Sequence, residues 1–303
     1  MGPLEVLQEA DDEGPLETPA VLRELYGGQL ALRPPLVFGN FVSSLDGVVD
    51  IPGTGRVGRV LSGDSEGDRF VMGLLRASAD AVLIGAGTLR ASPGSTWTPE
   101  QAFPEQAQAF RELRLRRGLA ARARLVVASA SGDLNPSHPG LQGALVVTGE
   151  TGAAHLPEKL DAEVLIVPDG PSGLDLRAML RQVVQMGHRT ILSEAGPSVT
   201  GRLLAQGLLG ELFLTLSPLL GGWPPGGGRR GLVGETELLP RVSVGGELVS
   251  VRRQGSHLFL RYRLPGAGPG LPGEVTEEPP PGRIRQSRGS EAGGPVRLGA
   301  AGA

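Results

Sequence analysis

The sequence predicts an α/β protein: a mostly parallel central sheet with helices on both faces and an antiparallel hairpin at its C-terminal end. Three observations predict it. Short apolar runs such as Ala81-Val82-Leu83-Ile84 are rich in Val, Leu and Ile, the pattern of strands buried on both faces. These runs alternate with amphipathic stretches, and strands separated by helices join in parallel. The last two runs, 247–253 and 257–264, are linked through Gln254-Gly255-Ser256 alone, which is short enough for a hairpin.

The elements follow in order. Residues 1–33 form an N-terminal extension with acids at Glu9, Asp11, Asp12 and Glu13 and a short helix around 21–26. Pro34-Pro35 then ends any helix and admits extended chain. One domain covers 34–264. Residues 36–42 read as a buried strand that stops at the polar turn Ser43-Ser44-Leu45-Asp46-Gly47. Residues 50–67 read as a Gly-rich loop, and 68–77 as a helix with Phe70, Leu74 and Ala77 on one face and Arg76 off it. The strand 81–84 runs into Gly85-Ala86-Gly87-Thr88, and an Arg-rich helix follows at 107–119. Strands are predicted at 125–128, 144–148, 164–167, 190–193 and 211–216, with helices at 174–186 and 198–206. Residues 265–303 are Gly- and Pro-rich without an aromatic. Such a tail cannot bury enough surface to offset its ordering entropy and is predicted to be disordered.

Composition narrows the function. The net charge of −3 gives no field for nucleic acid or an acidic membrane. The absence of cysteine excludes disulfides, thiolate metal sites and a thiol nucleophile. His138, His155, His188 and His257 are far apart in sequence, without metal-ligand spacing, so no metal is expected. The first residues lack the basic and apolar regions of a signal peptide, and no apolar run reaches the ~18 residues of a membrane span. A cytoplasmic protein acting on a small molecule is the expectation.

Ligands of α/β sheets bind beyond the carboxyl ends of the strands, where three motifs fall. Gly85-Ala86-Gly87-Thr88 follows a strand directly; its glycines let backbone N–H groups approach a phosphate, and Thr88 adds a hydroxyl. Arg90 occupies the place of a third glycine, so this is not the dinucleotide fingerprint, and the segment equally suits a purely structural turn. Glu194-Ala195-Gly196-Pro197-Ser198 joins a strand to a helix. Gly196 turns the chain, Pro197 suits the first helical turn, and the helix start faces whatever lies above. Glu194 either caps that helix or accepts from ring or amide N–H groups. Asp46 either bonds its own turn or reaches the chemistry. Arg76 could fork onto a phosphate, although most helical arginines are solvated.

Taken in order, these segments resemble the riboflavin-specific pyrimidine reductase family, the C-terminal part of the bifunctional deaminase–reductase, whose fold is dihydrofolate-reductase-like. The resemblance runs from about Pro35 to Leu264. It rests on Asn40-Phe41-Val42-Ser43-Ser44-Leu45-Asp46-Gly47, Leu74-Leu75-Arg76-Ala77, Ala81 through Thr88, Ile191-Leu192-Ser193-Glu194-Ala195-Gly196-Pro197 and Ser217-Pro218-Leu219-Leu220-Gly221-Gly222. Two segments depart from the family. Ser92-Pro93 stands where Asp-Pro is frequent, and residues 53–60 carry Gly and Arg in place of a Ser-x-Trp stretch. The family's zinc deaminase motif is absent from this sequence.

The resemblance implies NADPH-dependent reduction of the ribose of 5-amino-6-(5-phosphoribosylamino)uracil to ribityl by hydride transfer. It places Arg76 and Glu194 on the substrate, with Arg76 at the phosphate. It places Val42, Gly85, Gly87, Thr88, Ser129, Gly196, Pro197 and Ser198 on the cofactor. It leaves Glu194 and Asp46 as the acids nearest the chemistry, and it implies a homodimer. Two rivals are a same-fold reductase of another substrate, such as a pterin or other carbonyl compound, and a nucleotide-binding protein without catalysis.

Overall fold

A computed structural model describes residues 1–10, 17–170 and 173–266. The chain runs β1 (Glu5–Glu9), α1 (Ala20–Tyr26), β2 (Leu36–Ser43), α2 (Val57–Leu61), α3 (Glu66–Ala77), β3 (Ala81–Gly85), α4 (Ala86–Ala91), α5 (Pro99–Ala102), α6 (Ala107–Arg116) and β4 (Arg124–Ala128). It continues through β5 (Ala144–Thr148), α7 (Glu150–Ala153), β6 (Ala162–Ile166), the two-residue strands β7 (Asp169–Gly170) and β8 (Gly173–Leu174), and α8 (Leu176–Gln185). The last elements are β9 (Thr190–Ser193), α9 (Pro197–Ala205), β10 (Glu211–Leu216), β11 (Glu247–Gln254) and β12 (His257–Arg263).

Ten strands form one sheet in the order β1-β11-β12-β10-β2-β9-β3-β4-β5-β6. From β10 to β6 all neighbours are parallel. The hairpin β11–β12 and the edge strand β1 add antiparallel pairs. The mostly parallel sheet with an antiparallel C-terminal hairpin is thus the expected α/β architecture.

Each parallel strand feeds two cores, because alternate side chains leave opposite faces. Val82 and Ile84 of β3, with Leu125 and Val127 of β4, pack under α3 and α6. Ala81 and Leu83, with Val126 and Ala128, pack under α8 and α9. Both faces are covered, which is why these strands read as continuous apolar runs. Helix α3 starts where Ser65 accepts from the Asp68 N–H and buries Phe70, Leu74 and Leu75 completely. Burying each such side chain contributes about 1.5–3 kcal/mol.

The described parts of 1–33 pack on the sheet and its core. β1 pairs with β11, and Leu4, Leu22, Tyr26 and Leu30 are buried in the core. The strand was illegible because all five of its residues are exposed; the ladder to β11 and the buried Arg252 hold it. Arg252 donates to the Tyr26 carbonyl at 2.7 Å and to Glu9 at 2.6 Å. The segment read as a loop at 50–67 contains α2 and the start of α3. The predicted disordered tail falls, from residue 267 onward, outside the described residues.

Candidate functional site

β2, β9, β3 and β4 are parallel neighbours, so their carboxyl ends share one edge of the sheet. A cleft of about 1140 Å³ opens there. Of the residues predicted for the site, Val42, Arg76, Gly85, Gly87, Thr88, Glu194, Gly196, Pro197 and Ser198 line it. Strand pairing brings the two glycine segments together: Leu83 lies beside Ser193, and the Glu194 N–H donates to the Leu83 carbonyl at 2.9 Å. A Cβ on Gly196 would stand 3.6 Å from the Thr88 hydroxyl oxygen, and one on Gly85 3.6 Å from a Val199 methyl. A Cβ on Gly87 would meet nothing within 4 Å. The turn read at residues 85–88 is the start of a helix: Gly85 is its extended N-cap and Ala86 opens α4. Gly196 and Pro197 cap and begin α9 in the same way.

Arg76 and Glu194 form a forked ion pair. Arg76 Nε donates to Glu194 Oε1 at 2.9 Å and Nη2 to Oε2 at 2.6 Å. Nη1 donates to the Thr98 carbonyl at 3.3 Å. Both side chains are nearly enclosed, at 6% and 10% exposure. The sequence reading gave Arg76 to a substrate phosphate, but the edge suited to a phosphate is committed to Glu194. Glu194 does not cap α9; it projects to Arg76 on the neighbouring helix.

Asp46 lies outside the lining of the cleft. Its carboxylate accepts from the Ser44 hydroxyl at 2.6 Å, the Gly221 N–H at 2.8 Å and the Gly222 N–H at 2.6 Å. The Asp46 carbonyl accepts from the Trp223 indole at 2.9 Å. The Ser44 bond first, and then Gly221, hold its pKa down at about 2. Asp46 therefore carries no proton near neutrality and fastens the loop after β10 to the turn after β2, the turn-bonding alternative of its two sequence readings. Ser129 departs from expectation too: it is fully buried, and its hydroxyl accepts from the Gly132 N–H at 3.1 Å. Its neighbours Ala128, Ala130 and Ser131 line the cleft instead.

Sequence reasoning missed Asp68. On α3, Asp68, Met72 and Arg76 recur every four residues and all line the cleft. Asp68 is only 5% exposed. Burial pushes its carboxyl up to about 6; Glu194 adds to the rise, and the Thr215 and Ser62 hydroxyls and His257 oppose it. The available signal was an acid at i−8 from Arg76 on the same helix face.

Trp97 was also missed. It lines the cleft, and its ring centroid lies 5.9 Å from that of His138, with the planes tilted by 32°. Its φ is +51°, a conformation costing about 1–3 kcal/mol for such a residue, of a kind that clusters at ligand sites. The segment that departs from the family, 53–60, contributes Arg56 and Arg59 to the rim, with Arg69, Arg90, Arg202 and Arg230 nearby. Arg59 and Arg69 pair with Asp64, and Arg230 with Asp50. Among the described residues no helix is long and apolar enough to cross a membrane.

Comparison with known proteins places the fold. The family model described as the RibD C-terminal domain matches residues 35–258. The riboflavin biosynthesis protein RibD of Escherichia coli K12 is 30% identical over 153 residues, covering 48% of this chain and 39% of that protein. The chain thus spans well under half the length of this curated relative. A pyrimidine reductase-like protein from Corynebacterium diphtheriae aligns with a TM-score of 0.60 at 22% identity, over 80% of this chain and 98% of that one. RibD of Acinetobacter baumannii aligns with a TM-score of 0.57 at 18% identity, over 80% and 59%. At such identities the structures speak for the shared fold alone. The family match takes in β2 through the start of β12, and with it every element around the cleft, so the chain belongs to the RibD C-terminal domain family.

Proposed function

We propose that the chain is an NADPH-dependent reductase that converts the ribosyl group of 5-amino-6-(5-phosphoribosylamino)uracil to ribityl by hydride transfer. The observation that carries this reading is the meeting of two glycine-capped helix starts, at Gly85 and Gly196, beside the Arg76–Glu194 pair in one cleft. The cleft exceeds the ~300–1,000 Å³ of a single-ligand site, which suits two reactants side by side.

The residues present fit a nicotinamide dinucleotide. A Cβ at Gly196 would reach to 3.6 Å from the Thr88 hydroxyl, so glycine there leaves the space between the two helix starts to a ligand. Gly85, Gly87 and Thr88 on one side and Gly196, Pro197 and Ser198 on the other would hold the phosphates, with Val42 against the ring. When bound, the cofactor supplies the hydride. The chain supplies placement: holding two molecules in reacting geometry is worth several orders of magnitude in rate. Glu194, oriented by Arg76, presents carboxylate oxygens to the N–H groups of the pyrimidine. Arg56 at the rim is available for the phosphate, whereas Arg59 is forked onto Asp64.

A second reading, reduction of a different carbonyl compound by the same fold, is favoured by the commitment of Arg76 to Glu194. One experiment separates the two: the purified chain with NADPH and the pyrimidine ribotide, followed by loss of reduced-nicotinamide absorbance. Turnover supports the main reading; NADPH protection against thermal unfolding with no turnover of the ribotide favours the second. Glu194→Gln should lower turnover of the ribotide more than affinity for NADPH. By the family resemblance the chain acts as a homodimer, which light scattering on the same sample measures.

A further inference from the structure

The reduction needs a proton as well as a hydride, and the acids of the cleft are unequal sources. Glu194 is held by both arms of Arg76. Asp50 is paired with Arg230 at 2.7 Å. Glu105 is exposed at the rim. No histidine lines the cleft among the described residues. Asp68 remains: it lines the cleft, is nearly enclosed, and has no ion-pair partner among the described residues.

We propose that Asp68 is the proton donor of the reduction, an assignment that rests on the reductase reading above. The step balances as follows. The hydride of the reduced nicotinamide forms the new C–H bond at C1 of the opened ribose, and the C1=N π pair moves to nitrogen. The O–H bond of Asp68 breaks, and its proton forms the N–H bond. The nicotinamide leaves oxidised, and the Asp68 carboxylate recovers a proton from water.

The groups around Asp68 keep it ready for this. Burial raises its pKa to about 6, within reach of neutral pH, where a general acid works best. From the turn after β9 the Glu194 charge raises it further; from β10 the Thr215 hydroxyl, from α2's C-terminal end Ser62, and from β12 His257 pull it back. His257 is itself tied to the Ser62 carbonyl, at 2.9 Å from its Nε2. On α3 itself Arg76 faces Glu194 rather than Asp68.

The test uses the full chain and Asp68→Asn. In the ligand-free wild type, infrared difference spectra should show the carbonyl stretch of a protonated carboxyl that is lost as pH rises from 5 to 7 and is absent from Asp68→Asn. In single turnovers with NADPH and the ribotide, the wild-type rate should fall as pH rises through about 6. Asp68→Asn should be slower by about 100-fold or more and flat over that range, with NADPH affinity unchanged. An Asp68→Asn rate within threefold of wild type, or a wild-type rate flat between pH 5 and 8, overturns the assignment while the reductase reading stands. No turnover of the ribotide by the wild type removes both. Should Asp68→Asn fail to fold, the wild-type pH profile and infrared titration decide by themselves.

Discussion

Arg76 and Glu194, 118 residues apart in sequence, meet through two hydrogen bonds of 2.9 and 2.6 Å on the inner wall of the cleft. The pair joins α3 to the turn after β9. Two charges this enclosed depend on one another. Removing one leaves the other buried without compensation, at a cost of about 3–5 kcal/mol, whereas replacing both with apolar groups can be near neutral. Arg76→Ala and Glu194→Gln should each lower the unfolding free energy by that amount in urea titrations. The double variant Arg76→Met with Glu194→Leu should recover most of it. Losses below 1 kcal/mol in both single variants would show the pair to be solvated.

Asp46 should matter for stability in acid rather than for turnover. Its folded pKa of about 2 lies below the ordinary 3.8. A depressed acid contributes stability that is present above the unfolded value and is lost as pH falls through the folded one. Wild type should therefore lose more stability than Asp46→Asn between pH 4 and pH 2, as measured by thermal melts across that range. Equal losses would detach Asp46 from its Ser44 and Gly221 partners.

Gly87 separates binding from folding. It lies within α4, and a Cβ there would meet nothing in the ligand-free chain. Gly87→Ala should keep or raise the melting temperature, because alanine loses less backbone entropy in a helix, by roughly 0.4–1 kcal/mol. It should weaken NADPH binding at the same time, read by calorimetry. Unchanged affinity would place the phosphates elsewhere.

Trp97 and Trp223 are the two tryptophans of the chain, and they report on different places. Trp97 lines the cleft and is 4% exposed; Trp223 is 52% exposed and outside the lining. Ligand binding in the cleft should change tryptophan emission in wild type and in Trp223→Phe, and leave it unaltered in Trp97→Phe. A response that survives in Trp97→Phe would move the ligand away from that wall.

The reading of the site was uneven for a physical reason. Residues 85–88 and 194–198 were legible because a glycine turn after an apolar run is a local signal, and its position at the strand end follows from the α/β pattern. Asp68 was missed and Asp46 left open between turn and chemistry because a carboxyl's state depends on neighbours that local sequence does not show. Asp46 is claimed by Gly221 and Gly222, and Asp68 by the burial that β10 and β12 create around α3. Ser129 sits one residue from the cleft, on the wrong side of a strand end, where a period of two reverses the role.

The sequence by itself determined the α/β class, the order of the central strands, the closing hairpin, the glycine turn after β3 and the helix start at Gly196. Each depends on periodicity and turn chemistry within a few residues. The tertiary structure alone decided that β1 completes the sheet edge, that Arg76 holds Glu194, and that Asp68 is an enclosed acid of the cleft while Asp46 lies outside its lining. Those outcomes depend on contacts between distant segments, where burial and pairing across the sheet set charge, orientation and pKa.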